Sequence, residues 1–232
     1  MGFYKIHLTR LLTSGKKHYN RRMATLRLKL LPTFLLVTSR LLAQSTTEND
    51  GYEVVRQDEK IIMYERWTPY PGTTTNSRQI KCVFQTSADL NNLYAYIYQE
   101  AKINTWQDNI LEYKITSKND SVWVAYSYYR IPWPLNNQDY LLTYAVLEKN
   151  ENRITLSFTH LEDVKLRAVR KGVDRRPTIG KWELEKVGKG KIKVTYTITS
   201  LPINHPRFIT DRIVHNSIMS TLNKLITVAE SK

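Results

Sequence analysis

His160, with Glu162 and Asp163 just beyond it, has the residue types of general acid–base catalysis. It closes an alternating run, Ile154, Leu156, Phe158, His160, so its imidazole falls on the apolar side of a strand. Glu162 shares that parity, and a dyad would need both groups to face one interior, where the sequence names no proton-transfer task for them. There is no HExxH, no GxSxG, no glycine-rich phosphate loop and no cluster of metal-ligand spacing. A polar ring among apolar neighbours fits two other roles: a bonded inner-face histidine, or a group that orients an apolar ligand. Tyr196, in register with Val194 on a second alternating run, has the same standing. No catalytic residue, metal or cofactor is expected.

Those side chains need strands to hold them. Ile154 to His160 oppose Arg153, Thr155, Ser157 and Thr159, and Ile192, Val194, Tyr196 and Ile198 oppose Lys191, Lys193, Thr195, Thr197 and Thr199. Such period-two patterns describe antiparallel strands with one wet and one buried face. Trp182 and Leu184 repeat the pattern, and the glycines at 188 and 190 supply a hairpin turn. Further strands are expected over 60–67, 78–84, 110–117, 121–131 and 138–148. Ser87 is expected to cap a helix running to about Lys102, with Leu90, Leu93, Tyr94, Ile97 and Ala101 on one face.

The longest helical pattern is 206–229, where Val214, Ile218, Thr221, Leu222, Leu225 and Ala229 share one face and Pro206 suits the first turn. Strands, a helix, a run of strands and a long helix make an α+β domain with a bent antiparallel sheet wrapped around the last helix. One helix against a broad apolar concavity leaves room for a cavity.

The net charge of +14 on 232 residues is unevenly spread. Nine of the 35 Lys and Arg stand in residues 1–43, which hold no acid, and the rest carries 26 basic against 21 acidic residues. A body at +5 is mildly basic, so no nucleic-acid partner is expected. Cys82 is the only cysteine, which excludes an internal disulfide and fits a small buried hydrophobe.

The stretch 129–140, TyrArgIleProTrpProLeuAsnAsnGlnAspTyr, resembles the proline-tryptophan-proline and asparagine-arginine-aspartate segment of the START domains, the steroidogenic acute regulatory protein related lipid-transfer family. Pro132, Trp133, Pro134, Asn137, Asp139 and Tyr140 match, and Gln138 replaces the arginine. Trp106, Gly180, Trp182 and the helix after Pro206 follow in the family's order, so the likeness covers about 50–230. It implies a helix-grip fold, a curved antiparallel sheet around a long C-terminal helix that encloses a hydrophobic cavity for one lipid or sterol. The acid and arginine of cholesterol-carrying members fall at Ala125 and Tyr144, which argues against a cholesterol-specific site.

The expected function is therefore to bind a lipid or other hydrophobic molecule, as a carrier and without catalysis, by a monomer in transient contact with a membrane. Expected cavity liners are Trp106, Tyr128, Arg130, His160, Tyr196, Val214, Ile218 and Leu222. Trp133 and Asp139 read as a rigid corner with a capped turn. The alternative is an enzyme of the helix-grip class, a cyclase or hydrolase acting in the same cavity.

Residues 1–50 read as a leader and flexible lead-in, and 51–232 as the domain. From Met23 the order is basic, apolar, then Leu41 and Ala43 at signal-peptidase spacing, which predicts export with cleavage near Ala43; an organelle presequence or a cytoplasmic basic tail is the alternative. Exported protein should begin at or near Gln44, and N-terminal sequencing of the mature chain checks this; an intact Met1 or Met23 would contradict it.

Overall fold

The period-two segments become strands of one large sheet in the computed structural model, which describes residues 50–119, 121–203 and 205–231. The leader, apart from Asp50, and its cleavage point lie outside the described residues. The strands are β1 (Glu53–Gln57), β2 (Ile61–Pro69), β3 (Asn76–Thr86), β4 (Ile110–Lys118), β5 (Val122–Tyr129), β6 (Asn137–Lys149), β7 (Arg153–His160), β8 (Val173–Arg175), β9 (Thr178–Lys186) and β10 (Ile192–Ser200). They pair antiparallel in the order β1-β2-β3-β10-β9-β7-β6-β5-β4, with β8 added to β6 in parallel.

The sheet curves, and its curvature has local causes. Register shifts between β1 and β2, β4 and β5, and β6 and β7 insert extra residues that bend the strands. Gly180 pairs with Phe158 on one side and Ile198 on the other. A Cβ at 180 would run into the Phe158 ring and the Thr197 carbonyl oxygen, so the motif glycine is there for close approach.

The helices are α1 (Leu90–Tyr98), α2 (Glu100–Ile103) and α3 (Arg207–Glu230). The cap of α1 is Asp89 rather than Ser87: its carboxylate accepts from the N–H groups of Asn91 and Asn92. The helix expected to run on to Lys102 breaks at Gln99, which is extended. Beyond the break, the Glu100 carboxylate accepts the Ile115 N–H of β4 at 2.9 Å, a tie that a continuous helix would not make. Leu90, Leu93, Tyr94 and Ile97 are buried as expected, and Ala101, past the break, is exposed.

α3 lies against the concave face, and its two halves are held differently. In the C-terminal half Leu222, Leu225, Ile226 and Ala229 are buried among Ile61, Met63, Cys82, Leu184 and Val194. Each large aliphatic side chain so buried contributes about 1.5–3 kcal/mol. The last carbonyls are satisfied from outside the helix, by Asn92 on Ala229 (3.3 Å) and the Tyr96 hydroxyl on Val228 (3.0 Å). Glu230 accepts from the Thr86 hydroxyl and the Ser87 N–H, both at 2.9 Å. The N-terminal half carries Val214 and Ile218, both only half-buried, and beneath it the core opens. Cys82 is fully buried, and burial pushes its thiol up to about 12, which makes it inert at neutral pH.

Candidate functional site

The space under α3 consists of two adjoining compartments. The inner one, about 190 Å³, is walled by Trp106, Leu142, Tyr144, Phe158, Trp182, Tyr196 and Leu222 among others. The outer one, about 440 Å³, is walled by Arg78, Ile80, Arg130, Pro132, Leu135, Gln138, Arg176, Ile203, Arg212 and Val214 among others. Tyr129, Tyr140, Ile198 and Ile218 border both, so the two are halves of one space.

The inner compartment is aromatic because inward positions of successive strands are paired across the sheet. Leu156 opposes Trp182, Trp182 opposes Tyr196, and Tyr144 opposes Phe158. Ring contacts run from Trp106 to Trp182 (6.2 Å, edge-on), Trp182 to Tyr196 (4.3 Å), Tyr196 to Phe158 (6.2 Å), Phe158 to Tyr144 (5.5 Å) and Tyr144 to Trp123 (4.9 Å, stacked). Such pairs add about 0.5–1.5 kcal/mol each beyond burial and stiffen the wall. Trp106 donates its indole N–H to the Tyr96 carbonyl at 2.9 Å, which leaves its ring to the cavity.

A few polar groups break this surface. Tyr140 donates to Gln138 Oε1 at 2.8 Å, and Tyr129 donates to Gln107 Oε1. Burial pushes the phenols of Tyr144 and Tyr196 well above their ordinary value, so both stay neutral donors.

Of the residues expected to line the cavity, Trp106, Tyr196 and Leu222 reach the inner compartment, Arg130 and Val214 the outer, and Ile218 both. Tyr128 and His160 reach neither. Tyr128 opposes Asp139 on the outer face of β5, under the Arg170 guanidinium at 4.6 Å, while Ser127 and Tyr129 take the inward positions. Arg130 escapes that parity because β5 ends at Tyr129 and the chain turns there. His160 opposes Leu142 at the end of β7, on the cavity side, but stops outside both walls; burial lowers its imidazole pKa, with Glu162 opposing the shift.

Asp139 is a structural anchor, held by an ion pair rather than by a turn cap. Fully buried, it takes a two-pronged ion pair from Arg175 (2.9 and 2.7 Å) and the Tyr126 hydroxyl at 3.2 Å. Trp133, on the loop leading to β6, is 91% exposed.

A second polar cluster seats the N-terminal half of α3. Glu65 on β2, 4% exposed, accepts from Arg207 (3.0 Å) and from the His215 Nε2–H (2.8 Å), with Arg78 Nε 3.6 Å away. Asp211 pairs with Arg78 and, at 3.3 Å, with Arg207. Arg207 also lies over the Trp67 ring at 4.9 Å.

Sequence reasoning missed Tyr144, Phe158, Trp182 and Ile198, although they share faces with named liners and strand register would have found them. Arg78 and Arg176 carried no local signal, since only the pairing of distant strands brings them to the cavity.

No protein-family model matches the sequence, and no curated relative matches it. Solved structures do. The human StAR-related lipid transfer protein 5 superposes with a TM-score of 0.68 at 15% identity, over 79% of this chain and 88% of that one. A STAR-related lipid transfer protein from Xanthomonas axonopodis gives 0.65 at 20% identity, over 78% of this chain and 100% of that one. The chain has the helix-grip fold of these lipid-transfer proteins. The same fold extends to the Zhui aromatase/cyclase from a Streptomyces species, with a TM-score of 0.50 at 9% identity, over 66% of this chain and 94% of that one.

The Glu65 cluster has a pH signature. Burial pushes its carboxyl up, but the hydrogen bond from His215 and the Arg78, His215 and Arg207 charges pull it down further, to below its ordinary 4.5. A carboxyl lowered by folding stabilises the protein above its unfolded value, and that stability is lost as the pH falls through the folded value. Glu65→Gln should cost about 3 kcal/mol at neutral pH, and the deficit should shrink below pH 4.5. Urea melts of both proteins between pH 3 and 7 check this; parallel profiles would contradict it.

Proposed function

We propose that the chain binds one lipid or other hydrophobic small molecule in the space under α3, without catalysis, and carries it between membranes. The supporting observation is a cavity that is aromatic and apolar at its inner end, bordered by Ile218 and lined at its outer end by Pro132, Leu135 and Ile203. Each Å² of apolar ligand surface taken from water there is worth about 25 cal/mol, and the tyrosine hydroxyls and Gln138 supply orientation. Two of the solved structures that share the fold are named lipid transfer proteins, which supports the same reading.

Transient membrane contact belongs to this proposal. Trp133 and Phe208, 91% and 78% exposed, stand on the two segments that flank the outer compartment, where aromatic side chains would meet the headgroup layer. Export after cleavage near Ala43 is proposed on the leader pattern alone.

The enzymatic alternative is supported by the likeness to an aromatase/cyclase. Against it, His160 lines neither compartment. Among the described residues the one acid on the wall, Asp108, is already engaged by the Ser220 hydroxyl and by Lys224 at 3.3 Å.

Ile218 separates a cavity wall from a packed core. Ile218→Trp should abolish uptake of a fluorescent fatty acid from vesicles while leaving the melting temperature within a few degrees, because the added rings enter existing space. Leu222, 2% exposed, is core as well as wall, and Leu222→Ala should cost about 2–5 kcal/mol. Trp133→Ala with Phe208→Ala should slow uptake without changing its final extent. Strong destabilisation by Ile218→Trp with unchanged uptake per folded molecule would contradict the proposal.

A further inference from the structure

The outer compartment is cationic in a way the inner one is not. Arg78, Arg130, Arg176 and Arg212 all border it, and among the described residues no Lys or Arg borders the inner space. Among the described residues the one acid on the outer wall, Asp108, is occupied by Ser220 and Lys224. Arg78 is neutralised by Asp211 and Glu65. Among the described residues, however, Arg130, Arg176 and Arg212 have no carboxylate partner within 4.0 Å.

The half-buried Arg176 is nonetheless fixed. It donates to the Leu201 carbonyl, which holds the guanidinium in place without cancelling its charge, and that charge is felt at the Tyr140 hydroxyl on the border between the compartments. Arg130 and Arg212 are exposed and border the outer compartment from the loop after β5 and the first turns of α3. Gln138, whose carbonyl is taken by Tyr140, keeps its amide N–H groups as neutral donors on the same wall.

Like charges gathered on a concave wall raise one another's energy, and an anion placed among them relieves it. Guanidinium groups match carboxylate and phosphate oxygens two at a time, which a neutral hydroxyl or ester cannot exploit. A charged outer end joined to an aromatic inner end has the polarity of an amphiphile.

Building on the lipid-binding reading, we propose that the ligand is an anionic amphiphile whose carboxylate or phosphate head is held by Arg176, Arg130 and Arg212 while its apolar body fills the inner compartment.

The test uses the full chain and monomeric probes in the absence of vesicles, with quenching of tryptophan fluorescence as the readout, because Trp106 and Trp182 border the inner space. Palmitate and hexadecyl phosphate should each bind at least tenfold more tightly than methyl palmitate, and their relative affinities tell which head is preferred. Arg130→Gln with Arg212→Gln, both at exposed positions, and separately Arg176→Gln, should lower affinity for the two anions at least tenfold and leave the ester unchanged. Raising salt should weaken only the anions.

Equal binding of palmitate and its methyl ester would overturn this proposal and leave the cavity reading intact. Variants that weaken only attachment to anionic vesicles, with palmitate affinity untouched, would likewise overturn it and make the arginines a membrane-surface patch. If none of the three probes bound, the cavity reading would fail and this proposal with it.

Discussion

The constraint on which the structure depends is that a curved sheet must have its concave face covered; α1 covers part of it, over β7 and β9, and α3 has to cover what remains. α3 meets that demand fully only along its C-terminal half, where Leu222, Leu225, Ile226 and Ala229 reach the strands and the helix end is tied to Thr86, Asn92 and Tyr96. Under the N-terminal half the same sheet runs on beneath a helix that does not fill the space. The cavity is the volume left between them, and it lies over the inward side chains of β6, β7, β9 and β10.

A helix half lying over a void gains less from apolar burial than one lying on core, so its seat has to come from elsewhere. The Glu65 cluster supplies it. A carboxylate at 4% exposure is stable only with its charge met, and Arg207, His215 and Arg78 meet it from the helix and the neighbouring strand. This division of labour, apolar at one end of the helix and ionic at the other, explains why the chain places titratable groups at the edge of an otherwise hydrophobic interior.

The fold was legible in the sequence where burial on one face imposed a period. β7, β10 and α3 could be read almost to their ends, and β9 over its middle around Trp182 and Leu184, because each has one wet and one apolar side. β1 and β8 were not, since a five-residue edge strand with exposed side chains and a three-residue parallel strand leave no alternation to read. The break at Gln99 was hidden because its reason, the Glu100 tie to β4, is a contact between segments that local pattern does not encode. The site was legible in the same measure. Tyr196, Leu222 and Trp106 follow from faces and order, whereas Tyr128 turned outward because parity on β5 is set by the ion-paired Asp139 across from it, and the arginines of the outer compartment converge only through tertiary structure.

The most direct measurement of the central claim, that the space under α3 is a ligand cavity, is native mass spectrometry of the full chain purified from its own host under non-denaturing conditions. The account predicts a species heavier than the bare chain by one small hydrophobic molecule, lost on denaturation and absent from Ile218→Trp. A chain that carries nothing, with Ile218→Trp indistinguishable from the unaltered protein, would contradict it.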